Sequence, residues 1–153
     1  MEERFRLQPV LNYRQKQEEA RQQELARLKT LYQQQSERLQ ALEVEKRQQI
    51  ARLAQAQQTD PVDLETLLQV QAFLEWLDAR LAQERAALAA LADQVEQKRR
   101  QVVAAMQDRK ILEQLAERHA RAYRAWLNQR EARQADEVAT IRAHRRRQEG
   151  ADE

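Results

Sequence analysis

The segment Thr59-Asp60-Pro61-Val62-Asp63 decides the fold, because Pro61 is the only helix-breaking residue between residues 10 and 149. A chain with one such interruption has room for two long helices, one on each side of it. Asp60 suits the N-cap of the second helix and Pro61 its first position, while Asp63 and Glu65 place negative charge where the helix dipole favours it. We therefore predict a turn between two helices.

Pro9 sets the other boundary, since the residue before a proline is pushed out of the α region. Gly150 favours fraying of the C-terminal tail. The predicted organisation is an extended or frayed N-terminus at 1–8, helix one at 9–57, a turn at 58–62, helix two at 63–148 and a frayed tail at 149–153.

The composition excludes a compact globule. The 153 residues include one Gly, two Pro and no Cys, 34% of them are charged and only 5% are aromatic. Too few large side chains are present to fill a broad core, so the apolar residues must form a stripe. The absence of Cys excludes disulfides and thiolate metal sites. No apolar run is long enough to cross a bilayer and residues 1–20 lack an apolar signal region, so we expect a cytoplasmic protein.

Apolar residues recur at alternating spacings of three and four, which is the pattern of a coiled-coil seam. The predicted fold is all-α, a long two-helix antiparallel coiled-coil hairpin. The seam that we predict consists of Leu25, Leu28, Tyr32, Leu39, Leu42, Leu77, Leu81, Leu88, Leu91 and Val95.

Folding back about Asp60 pairs these residues across the two helices. The expected pairs are Leu42 with Leu77, Leu39 with Leu81, Tyr32 with Leu88, Leu28 with Leu91, and Leu25 with Val95. A slip of one heptad fits nearly as well. The short turn favours an intrachain hairpin, since its closure costs little entropy, although the same seam could also pair between chains as a parallel dimer or an antiparallel four-helix assembly.

The second helix is longer than the first, so about residues 112–148 form a C-terminal helical overhang. This overhang carries apolar side chains that helix one does not reach, including Tyr123, Trp126, Val138 and Ile141. Either the N-terminal residues cover part of them or another protein does.

Catalytic and cofactor sites are not expected. The chain has no Gly-rich phosphate loop and no HExxH motif, and a rod offers no pocket in which Ser, His and acid could meet. His119 and His144 lie 25 residues apart without a carboxylate at helical spacing, which favours structural roles. We predict no enzyme activity, no metal and no cofactor.

Two regions suggest protein binding. The stretch from Arg118 to Arg147 contains nine Arg and three acids, and Arg binds carboxylates in a bidentate manner. The interleaved acids and scarce Lys argue against nucleic acid. Phe73 and Trp76 flank the seam near the turn, where exposed aromatic side chains often anchor an interface.

The two ends of the chain resemble those of the flagellar FliJ family of the type III export apparatus. At the N-terminus, Phe5-Arg6-Leu7 leads into Val10-Leu11 and the pair Tyr13-Arg14. At the C-terminus, Lys110-Ile111-Leu112-Glu113-Gln114-Leu115 is followed by Tyr123 and then by the acidic pair Asp136-Glu137. Both ends match at the right separation, and the resemblance covers nearly the whole chain.

The resemblance implies a non-enzymatic stalk that serves flagellum biogenesis, and through it motility and chemotaxis. Such proteins bind the export ATPase ring near the chain termini and an export-gate membrane protein along the hairpin, and they are credited with escorting export chaperones. On this chain, the implied ring contacts are Tyr123, Trp126, Arg130 and Arg133. The implied gate contacts are Phe73, Trp76 and Leu77. The implied location is the cytoplasmic face of the inner membrane, reached through protein contacts only.

Two other functions fit the same features. The equivalent stalk of a virulence type III injectisome would share the hairpin and the role, although the Phe-x-Leu opening at Phe5 favours the flagellar system. A generic coiled-coil scaffold or tether would have no ATPase partner.

Overall fold

Two helices account for nearly all of the chain. In the computed structural model, which describes residues 1–152, α1 spans Gln8–Gln58 and α2 spans Leu64–Ala151. No strand occurs in the described range. The helices are long and closely packed, so the protein is an all-α helical hairpin, as predicted.

The chain divides into two compact units. The hairpin unit comprises residues 18–104, and the terminal unit comprises residues 1–17 together with α2 from residue 105 onward. The hairpin unit contains the inter-helix turn and the parts of α1 and α2 that flank it.

The helices of the hairpin unit run antiparallel. Lys98 Nζ lies 2.5 Å from Glu24 Oε2, and Lys46 Nζ lies 2.7 Å from Asp78 Oδ1, so residue numbers rise along one helix as they fall along the other. The buried core of this unit is Leu39, Leu77 and Leu81, with Leu42 and Leu88 packed against it. This cluster contains both members of the expected pairs Leu39 with Leu81 and Leu42 with Leu77.

The other predicted seam residues of the hairpin unit are half-buried. They are Leu25, Leu28, Tyr32, Leu91 and Val95. These side chains remain partly exposed because a two-helix coiled coil covers each seam residue from one side only.

The cap of α2 lies three residues later than predicted. Asp63, not Asp60, accepts a hydrogen bond from the Thr66 backbone N–H at 3.2 Å, and the Thr66 hydroxyl donates to the other oxygen of the same carboxylate at 2.6 Å. Asp63 is therefore the N-cap, and Pro61 lies outside the helix. The prediction for Asp60 was wrong because Thr66 gives Asp63 two hydrogen bonds, one from its backbone N–H and one from its hydroxyl, whereas Asp60 has no such partner in the described chain.

Backbone hydrogen bonds extend the helical structure at both termini. At the start, Gln8 N–H donates to Phe5 O at 3.1 Å and Leu11 N–H to Leu7 O at 2.9 Å, so a turn leads directly into α1. At the other end α2 continues through Gly150, and Asp152 N–H still donates to Gln148 O at 3.3 Å. A glycine in the last turn weakens a helix without ending it, since its cost is about 1 kcal/mol.

Candidate interaction surfaces

The overhang begins with a ladder of aromatic and cationic side chains. The rings of Tyr123 and Trp126 stack with their centroids 5.8 Å apart, and the Arg130 guanidinium carbon lies 5.5 Å from the centroid of the Trp126 ring. The three residues follow one another at spacings of three and four, so they share one face of α2. Arg133 continues that face and makes no ion pair within residues 1–152.

Beyond this ladder α2 is uncovered. Every residue from 128 to 152 is exposed, including Val138 at 46% and Ile141 at 55%. A lone helix in water is marginal, and its apolar side chains have no partner within the described chain. This stretch therefore offers both charge and apolar surface to a binding protein.

The N-terminal residues cover only the beginning of the overhang. The rings of Phe5 and His119 lie 5.7 Å apart at an angle of 48°, and Phe5 is half-buried. His119 thus has the structural role that was expected of it. The other histidine, His144, is exposed and lies 3.2 Å from the side-chain nitrogen of Gln148.

The second candidate surface lies near the turn. Phe73 and Trp76 stack with centroids 5.6 Å apart and an interplanar angle of 28°, and they are 36% and 57% exposed. Leu77 is 0% exposed and belongs to the core. A partner can touch Phe73 and Trp76 directly, whereas it cannot reach Leu77 without separating the helices.

Sequence reasoning missed the polar members of the seam. Gln35 and Glu84 are both buried, and the Gln35 side-chain amide donates to the Glu84 main-chain oxygen at 3.2 Å and to the Glu84 carboxylate. Arg80 pairs with the same carboxylate at 3.1 Å. The signal was present in the spacing, because Gln35 lies three residues after Tyr32 and Glu84 three after Leu81, at seam positions that the apolar pattern leaves empty.

Three exposed carboxylates have pKa values below their ordinary range. The hydrogen bond from Lys98 lowers the pKa of Glu24 most, aided by the charges of Lys98 and Arg21. The hydrogen bonds from Thr66 lower the pKa of Asp63, and Arg99 lowers that of Glu96. In each case the cause is a hydrogen bond to the charged carboxylate, across the two helices for Glu24, in the cap for Asp63 and along α2 for Glu96.

The described residues contain no arrangement that suggests metal binding. Among residues 1–152, no three His, Asp or Glu side chains lie close enough together to hold an ion. Within the same range, neither helix has a stretch that is both long and apolar enough to cross a lipid bilayer.

The fold and these surfaces define a class of protein, an all-α helical hairpin with aromatic and basic side chains along its surface. Residues 3–148 match the family model described as the flagellar FliJ protein, and the chain belongs to that family. The family identifies it as a component of the flagellar export apparatus, which favours the flagellar system over the injectisome. No curated protein and no solved structure matched the chain.

Proposed function

We propose that this chain is a non-enzymatic stalk that binds the export ATPase ring through its overhang and contacts the export gate near its turn. In this role it promotes ring assembly or hydrolysis from the cytoplasmic face of the inner membrane and assists export chaperones. The family match supports a role in flagellar export.

The observation that carries the proposal is the aromatic and basic face of the overhang. Tyr123 and Trp126 are half-buried and stack just before the stretch of α2 in which every residue is exposed, and Arg130 and Arg133 follow on the same face. Aromatic and Arg side chains are the commonest energetic anchors of protein interfaces. Arg also suits an acidic partner surface, because its planar guanidinium pairs with carboxylates through two hydrogen bonds.

The ring contact can be tested by an ATPase assay on the export ATPase of the same organism. The full chain should stimulate hydrolysis or ring assembly, and a truncation ending at Ala116 should not. The triple variant Trp126→Ala, Arg130→Ala and Arg133→Ala should bind the ATPase at least about tenfold more weakly, since such anchors each contribute roughly 1–2 kcal/mol or more.

A matched control distinguishes a general loss of positive charge from the loss of the proposed binding site. Arg38 and Arg47 are exposed residues of α1 that make no ion pair within residues 1–152, so Arg38→Ala with Arg47→Ala removes charge elsewhere. Binding should be unchanged in this control. Equal losses in the control and the triple variant, or no effect of the full chain on the ATPase, would leave a coiled-coil tether as the better account.

The gate contact is tested by a separate variant. Phe73→Ala with Trp76→Ala should weaken binding to the cytoplasmic domain of the export gate while leaving ATPase stimulation intact. Leu31 is 38% exposed in α1 and serves as the control, because Leu31→Ala removes apolar surface away from the stacked pair. Unchanged gate binding in the double variant would contradict this part of the proposal.

A further inference from the structure

The end of the hairpin carries an apolar patch that neither helix covers. Val62 is 54% exposed, Leu64 is 65% exposed and Leu68 is 59% exposed. Leu64 and Leu68 lie four residues apart and are therefore neighbours on one face of α2. Exposed aliphatic side chains gathered in this way mark an interaction site more often than isolated ones do.

This patch is centred on a different side of α2 from Phe73. Phe73 lies nine residues after Leu64, which is two and a half helical turns, so the two side chains leave α2 on opposite sides. Trp76, eight residues after Leu68, is about 80° from it around the helix, so the aromatic pair adjoins the patch at Trp76 and turns away from it at Phe73.

Along the segment that carries the patch the charges are all negative, and Arg52 of α1 lies close enough to act on one of them, Asp63. Between Arg52 and Arg80 the chain has five acids and no Lys or Arg, although the whole chain has a net charge of +2. Two of the five are engaged, Asp63 in the cap and Asp78 with Lys46. The carboxylates of Asp60, Glu65 and Glu75 make no hydrogen bond or ion pair within residues 1–152.

Glu75 lies on the face of the patch itself. It is seven residues after Leu68 and eleven after Leu64, and both spacings bring side chains to the same side of an α-helix. The face thus combines aliphatic anchors with an unpaired carboxylate, and Glu65 lies along its edge.

We propose that the face formed by Val62, Leu64, Leu68 and Glu75, with Glu65 at its edge, binds a basic amphipathic helix of another protein. Leu or Ile side chains of that helix would cover the patch, and its Lys or Arg would pair with the free carboxylates. An anionic lipid surface would be repelled by the same carboxylates. The basic tail of a second copy would join tip to tail without closing, which generates open filaments, so we assign the face to a different protein.

A synthetic helix tests the chemistry directly. The probe is a fluorescently labelled 18-residue amphipathic peptide of Leu, Ala and Lys, and its partner probe replaces every Lys by Glu. Fluorescence anisotropy against the full chain should show binding of the Lys peptide and none of the Glu peptide. Leu64→Gln with Leu68→Gln should weaken binding at least about tenfold, since one buried Leu is worth roughly that factor.

A second variant and a control complete the test. Glu65→Gln with Glu75→Gln should weaken binding severalfold and reduce its dependence on salt. Val44→Gln with Val103→Gln should change nothing, because these two valines are each 42% exposed elsewhere in the hairpin unit. All of these positions are exposed, so the fold should persist in every variant, and circular dichroism checks it.

Three results would overturn the proposal. The first is no binding of the Lys peptide to the wild-type chain, and the second is equal binding to wild type and the leucine variant. The third is that a peptide of residues 134–149 of this chain binds the face as tightly as the Lys peptide and the full chain self-associates in sedimentation. That result would mean that the partner bound at this face is a second copy of this chain and not a helix of another protein.

Discussion

Gln35 and Glu84 place an amide and a carboxylate inside a seam that is otherwise largely apolar in its centre. Their hydrogen bonds cross between the helices, so they are satisfied only when α1 and α2 lie in one alignment. If one helix slipped by a heptad, the Gln35 amide and the Glu84 carboxylate would both be buried but could no longer form a hydrogen bond with each other. The pair therefore specifies register, as single polar seam residues do in other coiled coils.

The pair gives a prediction for stability. Gln35→Leu should lower the free energy of unfolding by about 1–3 kcal/mol, because it leaves the Glu84 carboxylate without its partner across the seam. Gln35→Leu combined with Glu84→Leu should be more stable than the single variant, since an apolar pair carries no desolvation cost. Urea unfolding followed by circular dichroism measures both. A single variant as stable as wild type would show that Arg80 and solvent already satisfy Glu84.

At the scale of elements, the fold could be predicted from a few residues. Pro61 divides the chain into two helices, and the spacing of Leu39, Leu77 and Leu81 indicates which faces meet. The cap could not be located as firmly, because Asp60 and Asp63 are both good caps and only the hydroxyl of Thr66 distinguishes them. The aromatic candidates Phe73 and Trp76 were predicted as exposed from their positions beside the seam, whereas the ion pairs between helices depend on rotamers that spacing does not determine.

The ion pair between Glu24 and Lys98 predicts a pH dependence. The pKa of Glu24 is lowered in the folded chain by the Lys98 hydrogen bond and charge, so its contribution to stability is present above the ordinary Glu pKa of 4.5. That contribution is lost as the pH falls through the lowered pKa of the folded state. Glu24→Gln should therefore unfold at a lower temperature than wild type at neutral pH, and the two should converge in acid.

The control for that comparison is Glu19→Gln, which removes an exposed carboxylate from the same helix that has no partner within residues 1–152. Its melting temperature should follow that of wild type across the titration, apart from small effects of net charge. A constant difference between Glu24→Gln and wild type down to strongly acidic pH would contradict the assignment.

The N-terminal turn gives a second prediction at this scale. Phe5→Ala should remove the cover of His119 and speed amide hydrogen exchange in α2 around residues 115–123, because helical hydrogen bonds exchange faster where tertiary packing is lost. Exchange near Leu77 and Leu81 should not change. Val10→Ala is the matched control, since Val10 is an apolar residue of the same unit that is 41% exposed. Equal exchange in wild type and Phe5→Ala would mean that the ring contact contributes nothing.

At the scale of the whole molecule, buried apolar side chains are unevenly distributed. The three largest fully buried side chains, Leu77, Leu81 and Val70, all belong to the hairpin unit. In the terminal unit, Leu11 at 5% exposure is the buried hydrophobic residue of the described range. Stability should follow this distribution, because local opening costs least where little apolar surface is buried.

Hydrogen exchange in the full chain tests this expectation. Amides of residues 70–88 should be the slowest to exchange, and amides from 128 onward should exchange fastest by several orders of magnitude. Uniform protection along α2 would contradict the division and would indicate that the overhang is covered in solution by another copy. Measurement at two protein concentrations distinguishes that case, since association depends on concentration.

The uncovered stretch from 128 to 152 also has a practical consequence. It presents Arg130, Arg133, Arg142 and the run Arg145 to Arg147 on a helix that nothing shields, so trypsin-like proteases should cut there before they cut the hairpin. A preparation cut after Arg130 would keep most of its helical signal and its thermal transition while losing Arg133, one of the residues that we assign to the ATPase. Intact mass, and not helicity, is therefore the appropriate check on material used in binding assays.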